Sequence, residues 1–150
     1  RPFRLGQDEE ILTQLQNAVF RGSWGFCPNT VEEVTARVRL ERCDPECIVF
    51  VTDNSLPSAY NWTTRASSDD GATGRIAMMG VHPDYRGRHL GRQVTVAGME
   101  GLKAKGVGKI ELEVDSKNAP ARELYKELGF VKLREALWYE KRLNIGDRQL

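Results

Sequence analysis

Apolar and polar positions fall into two periods along this chain, one helical and one extended. In residues 9–20, Ile11, Leu12, Leu15, Val19 and Phe20 recur at spacings of three and four. They share one face of a helix that Asp8 is placed to cap. Thr30, Val31, Glu32 and Glu33 form a capping box, which predicts a second helix to about Leu40. Residues 47–52, 58–64 and 76–81 are short apolar runs bounded by turn residues and predict buried strands. The turn Asp53, Asn54, Ser55 links the first two, and residues 65–74 read as a mobile polar loop. A third helix is expected over residues 90–105, with Leu90, Val94, Ala97 and Leu102 on its packed face. Gly98 and Gly101 each weaken it by ~1 kcal/mol relative to alanine. Residues 109–114 alternate, with Ile110, Leu112 and Val114 facing one way and Glu111 and Glu113 the other. A fourth helix over 119–128 carries Pro120 in its first turn and Gly129 at its C-cap. Residues 2–5 predict a short first strand, and 130–133 with 136–141 a closing hairpin. The result is an α+β domain: a mixed, largely antiparallel sheet of six or seven strands with four helices on both faces.

Composition narrows the picture. A chain of 150 residues is expected to form one domain with a real core. Its 22 basic and 21 acidic residues leave a net charge of +1, which argues against nucleic acid as a partner. No apolar run is long enough for a membrane span, and no signal peptide opens the chain. Cys27, Cys43 and Cys47 are odd in number and lack further Cys or His at metal-ligand spacing. They read as reduced thiols of a cytoplasmic protein, with no metal site. The chain opens on Arg1 rather than Met, which fits a processed chain, a trimmed one or one domain of something longer.

Candidate chemistry concentrates where residues 76–81 run into His82, Pro83, Asp84 and then Arg86, Gly87, Arg88, His89, Leu90, Gly91 and Arg92. Pro83 cannot donate to a ladder and stops the strand. Gly87 and Gly91 allow close backbone approach, and a helix opening near Leu90 presents unpaired N–H groups at its positive end. Three arginines beside such an end suit a phosphorylated ligand.

Downstream, Asn118, Ala121, Leu124, Tyr125, Gly129 and Phe130 complete the pattern N-x-x-A-x-x-L-Y-x-x-x-G-F. With Arg86 and Gly91 upstream, the chain resembles the GNAT acyltransferase superfamily. The resemblance covers residues 47–143 well and the N-terminal part more loosely. It departs at His89, where the family usually has glycine: a side chain there would crowd the pyrophosphate if the position needs positive φ, whereas helical backbone, the expectation here, would accommodate histidine and add a donor.

The resemblance implies a single GNAT domain over residues 1–150 with a splayed central strand pair, and acetyl-CoA as cosubstrate. Backbone from Arg88 to Arg92 would hold its pyrophosphate, with Arg86, Gly87, Arg88, His89, Leu90, Gly91 and Arg92 forming the loop. Backbone around Met79 and Val81 would hold the pantetheine, and Asn118 and Ala121 would contact the coenzyme. Tyr125 matches the family's general acid. No carboxylate lies within residues 75–81, so Glu113 is the candidate base, with Asp115 second and His82 third. Trp24 and Phe26, in the loop 21–29, either plug the core or wall an acceptor pocket; the family's acceptor site borders this region. The implied activity is N-acetyl transfer to a small-molecule or peptide amine. The alternative is a catalytically silent CoA-binding domain, a sensor or half of a tandem enzyme. The WGF-containing loop loosely resembles GNAT proteins of the mycothiol-synthase type, often tandem domains, which leaves open a second GNAT domain or a homodimer as partner.

Overall fold

The three central apolar runs become neighbouring strands in a computed structural model of the chain, which describes residues 1–23, 25–40, 44–68 and 71–141. Strands β1 (Ile48–Asp53), β2 (Leu56–Ser68) and β3 (Gly71–Val81) form an antiparallel meander. Strand β4 (Lys109–Leu112) adds to β3 in parallel, so the order is β1-β2-β3-β4. A parallel neighbour requires a crossover, and α3 (Leu90–Ala104) provides it. Helices α1 (Glu9–Phe20) and α2 (Val31–Val38) precede the sheet, and α4 (Ala119–Glu127) follows β4. Asn54 and Ser55 both take positive φ, 48° and 71°, the conformation of a two-residue type I′ hairpin turn.

Side-chain alternation in β2 separates two layers. Tyr60 and Trp62 join Ile48, Phe50 and Phe3 with Leu12 and Leu15 of α1 and Val34 and Val38 of α2 in the main core. Asn61 and Thr63 point the other way, under α3. A Cβ added at Gly98 would sit 2.6 Å from Asn61 Nδ2, and that amide donates to Val94 O at 3.2 Å. The glycine is what lets α3 lie this close to the sheet. Both α3 and α4 end in Schellman motifs. Gly129 N–H donates to Lys126 O and Phe130 N–H to Tyr125 O; Gly106 and Val107 repeat the pattern on Lys103 and Leu102. The capping box closes as expected, with Thr30 Oγ1 accepting from Glu33 N–H and Glu33 Oε2 accepting from Thr30 N–H.

Five expectations need correction. Among the described residues the sheet has four strands rather than six or seven. Residues 2–5 contribute only an isolated bridge, Pro2 to Val49. Residues 131–141 carry no regular structure, and Val131, Leu133 and Tyr139 are 86%, 71% and 90% exposed. A lone hairpin without a covered face is marginal in water, and β4 is only four residues long. The expected polar loop 65–74 is instead largely strand, with Ala66 opposite Thr73 and Ser68 opposite Gly71. Main-chain pairing needs no apolar side chains, so its composition concealed it. Lastly, Asp8 precedes α1 but caps it with no side-chain bond. Its carboxylate is buried and accepts from the guanidinium groups of Arg1 and Arg4 and from Arg4 N–H. These donors hold its pKa well below the usual carboxylate range.

Candidate active site

The site begins with a mismatch between strand lengths. Only Thr73, Gly74, Arg75 and Ile76 of β3 pair with β4. On the other edge, Met78 faces Trp62 and Ile76 faces Thr63, so Ala77 is an extra residue, a bulge. Past it, β3 continues to Val81 with β2 as its only strand partner among the described residues. The two parallel strands therefore part at Ala77. His82 N–H donates to Ser58 O at 2.8 Å. Backbone groups alternate sides along a strand, so those of Met79 and Val81 turn away from β2, into the opening.

At the end of β3, His82 Nδ1 accepts from Asp84 N–H at 3.3 Å and its ring meets Tyr85 edge-on at 5.7 Å. That makes His82 the cap of the 3₁₀ turn Pro83–Tyr85. The loop then takes left-handed φ twice, at Gly87 (77°) and at His89 (58°), before α3 opens at Leu90. The expectation of helical backbone at residue 89 is thus overturned. His89 occupies a left-handed N-cap position, with no side-chain capping bond, where glycine carries the smallest penalty. Left-handed residues alternating with others form the backbone concavity that gathers N–H groups around an anion, here at the positive end of a fifteen-residue helix.

The arginines around it are exposed and differently engaged. Arg86 donates to Val19 O at 3.5 Å, at the end of α1. Arg88 donates to Asp53 Oδ2 at 3.3 Å and lies 5.1 Å from the centroid of the Tyr85 ring. Arg92 is exposed on the first turn of α3. Asp53 and Tyr85 were missed by sequence reasoning, because the Asp53 contact spans 35 positions and its only local signal was that of a turn.

Helix α4 closes the far side. A Cβ at Gly91 would lie 3.5 Å from Leu124 Cδ2 and 3.6 Å from Val81 Cγ2, so the ends of β3, α3 and α4 converge there. Asn118 is the N-cap of α4, and its Oδ1 accepts from Ala121 N–H at 3.2 Å. Tyr125, one residue after Leu124, is 9% exposed and packs edge-on against Phe130 at 5.7 Å. Burial pushes its phenol pKa up.

The carboxylate candidates are less well placed. Glu113 is exposed, just past β4, with Oε1 3.0 Å from Arg75 Nη2. Asp115 Oδ1 accepts from Lys117 N–H at 2.8 Å and serves its turn. In the loop after α1, Phe26 is half-buried, and Trp24 lies outside the described residues, as does Cys43. Asn17 grips the loop's end reciprocally, donating to Asn29 O and accepting from Asn29 N–H, both at 2.9 Å. Among the described residues, no group of three His, Cys, Asp or Glu side chains could hold a metal ion, and no helix is long and apolar enough to cross a membrane.

Comparison with known proteins is consistent with this geometry. The family model described as "Acetyltransferase (GNAT) family" matches residues 10–130. The mycothiol acetyltransferase of Stackebrandtia nassauensis is 32% identical over 151 residues, covering 95% of this chain and 47% of the relative. That of Thermobispora bispora is 31% identical over 149 residues, covering 94% of this chain and 49% of the relative. The chain thus spans about half the length of the curated relatives it matches. Among solved structures, a chain of the NatC complex bound to Gag peptide and CoA superimposes with a TM-score of 0.72 at 17% identity, covering 89% of this chain and 84% of that one. At that identity the likeness speaks for the fold alone.

Proposed function

The chain belongs to the acetyltransferase (GNAT) family, and from that premise we propose that it transfers an acetyl group from acetyl-CoA to a primary amine of a small molecule or peptide. The observation that carries this reading is the parting of β3 from β4 at Ala77, which leaves the backbone of Met79 and Val81 without a strand partner on that side. An amide-bearing coenzyme arm suits such an edge as an added strand does. The loop fits the other end of the coenzyme. N–H groups from Arg88 to Arg92 gather at the head of α3, a Cβ-free Gly87 stands open beside them, and Arg86, Arg88 and Arg92 supply cations.

Acetyl-CoA supplies a thioester, whose carbonyl carbon bonds to the amine nitrogen as its carbon–sulfur bond breaks and sulfur leaves with the electron pair. Val81 N–H is assigned to the carbonyl oxygen, where negative charge develops. Tyr125 is assigned as the acid that protonates the departing sulfur. Its raised pKa keeps it protonated throughout the neutral range, as a donor must be. Asn118 and Ala121 hold the start of α4 beside the coenzyme. Glu113 takes the amine's proton directly or through water, after exchanging Arg75 for the substrate ammonium. Phe26, half-buried in the loop after α1, is assigned to the acceptor side. The relatives' name puts a mycothiol-related acceptor first among the amines to try, and a second domain of the same family or a second copy is the partner to look for.

Calorimetric titration with acetyl-CoA tests the coenzyme, and steady-state transfer to an amine panel tests the reaction. Tyr125→Phe should keep coenzyme affinity and lower kcat by about 10²–10⁴-fold, the range of a general acid. Unchanged kcat in that variant would remove Tyr125 from the mechanism. One observation favours a second reading, a coenzyme-binding domain without catalysis: the candidate base Glu113 is held by Arg75, 3.0 Å away. That reading expects coenzyme binding with no transfer to any amine.

A further inference from the structure

The tip of the β1–β2 hairpin reaches the anion-binding loop at one side chain. Asp53, the last residue of β1, places Oδ2 3.3 Å from Arg88 Nη1. The same guanidinium lies 5.1 Å from the Tyr85 ring centroid, and Tyr85 is in turn steadied by the edge of His82 at 5.7 Å. Arg88 is therefore held on two sides by protein groups, an anion and an aromatic face. Both partners of the ion pair are substantially exposed, 58% and 42%, so the pair is open to competition from a stronger anion. A phosphate offers more charge and more acceptor oxygens than one carboxylate.

We propose that Asp53 is a positioning residue that restrains Arg88 in the empty enzyme and competes with the coenzyme's phosphates for it. The proposal rests on the acetyl-CoA reading given above. Asp53 keeps the arginine parked over Tyr85, beside the loop, and gives it up as phosphate enters. The cost to affinity is that of releasing an exposed ion pair, a few-fold in Kd. Asp53→Asn removes the charge while keeping the shape, and the hairpin turn depends on the backbone of Asn54 and Ser55 rather than on this carboxylate.

The test is calorimetric titration of acetyl-CoA into wild type, Asp53→Asn, Arg88→Gln and the double variant, at low and high salt. Asp53→Asn should bind the coenzyme about two- to fivefold more tightly than wild type at low salt. The gain should disappear in the Arg88→Gln background and shrink in 0.5 M salt, where the Debye length falls to roughly 4–5 Å. At saturating acetyl-CoA its kcat should equal that of wild type, so that the change lies in KM. A gain that persists without Arg88, or an Asp53→Asn protein that binds no more tightly than wild type, overturns the proposal while leaving the coenzyme reading intact. Failure of folded wild type to bind acetyl-CoA overturns the coenzyme reading and this proposal with it.

Discussion

His89 offers the sharpest test of the loop's backbone, because its conformation and its residue type disagree. At φ 58° and ψ 14° it sits in the left-handed region, which costs a residue with a Cβ roughly 1–2 kcal/mol. The His89 side chain is exposed and makes no capping bond, so replacing it with glycine forfeits no cap. Against the relief stands the greater freedom of glycine in the unfolded chain, about 0.4–1 kcal/mol. His89→Gly should therefore stabilise the protein by about 0.5–1 kcal/mol, raising Tm by roughly 1–4 °C for a chain of this size. His89→Val, β-branched and poorly suited to positive φ, should move stability the other way by about 1 kcal/mol or more. Urea denaturation of the three proteins, compared at equal m, isolates the effect from changes in denatured-state compactness. If His89→Gly is no more stable than wild type, or His89→Val is as stable, the backbone at residue 89 is not left-handed in solution. The anion-binding concavity would then lose one of its two positive-φ residues.

Other consequences are simpler. Asp8 has a folded pKa well below its unfolded value of about 3.9, so its contribution is present above that value and lost as pH falls through the folded pKa. Asp8→Asn should cost about 2–3 kcal/mol at pH 7 in urea denaturation, and the gap to wild type should narrow below about pH 4. Two of the three α3 glycines, Gly98 and Gly101, should respond oppositely to alanine. Gly98→Ala, with Asn61 Nδ2 only 2.6 Å from the new Cβ, should destabilise by about 1–3 kcal/mol. Gly101→Ala meets nothing within 4 Å and should stabilise by about 0.5–1 kcal/mol in the same assay. Thr30→Ala removes the cap on Glu33 N–H and should cost about 1 kcal/mol.

Features set by neighbours in sequence were legible, and features set by distant charge or by main-chain pairing were not. The Thr30–Glu33 box, the Asn118 cap and the Gly129 terminus each need only four to six consecutive residues, and all three form as the residues imply. Asp8 looked like a cap by the same local logic, yet two arginines compete for its carboxylate, and a charge-assisted pair outweighs one backbone N–H. The ribbon formed by the far ends of β2 and β3 carries Arg, Ser, Thr, Gly and two Ala at its paired positions, so no run of large apolar residues announces it. The closing hairpin had the reverse problem. Its apolar pattern is strong, but a pattern states only that a face must be covered, not that a covering surface exists.

The same distinction divides the candidate site. The proposed coenzyme side rests on backbone, on a bulge at Ala77, left-handed residues at 87 and 89 and the head of α3. Such features tolerate many side chains but demand a few small or turn-forming residues at fixed spacing, and those leave a recognisable trace. The proposed acceptor side depends on which side chains meet across elements. Glu113 meets Arg75 across the neighbouring strands, and the loop after α1 is fixed by Asn17 gripping Asn29. None of these contacts has a local sequence signature. On the proposed assignment such a site can keep its coenzyme while exchanging its acceptor, because the residues proposed to choose the amine are not those proposed to hold the phosphates.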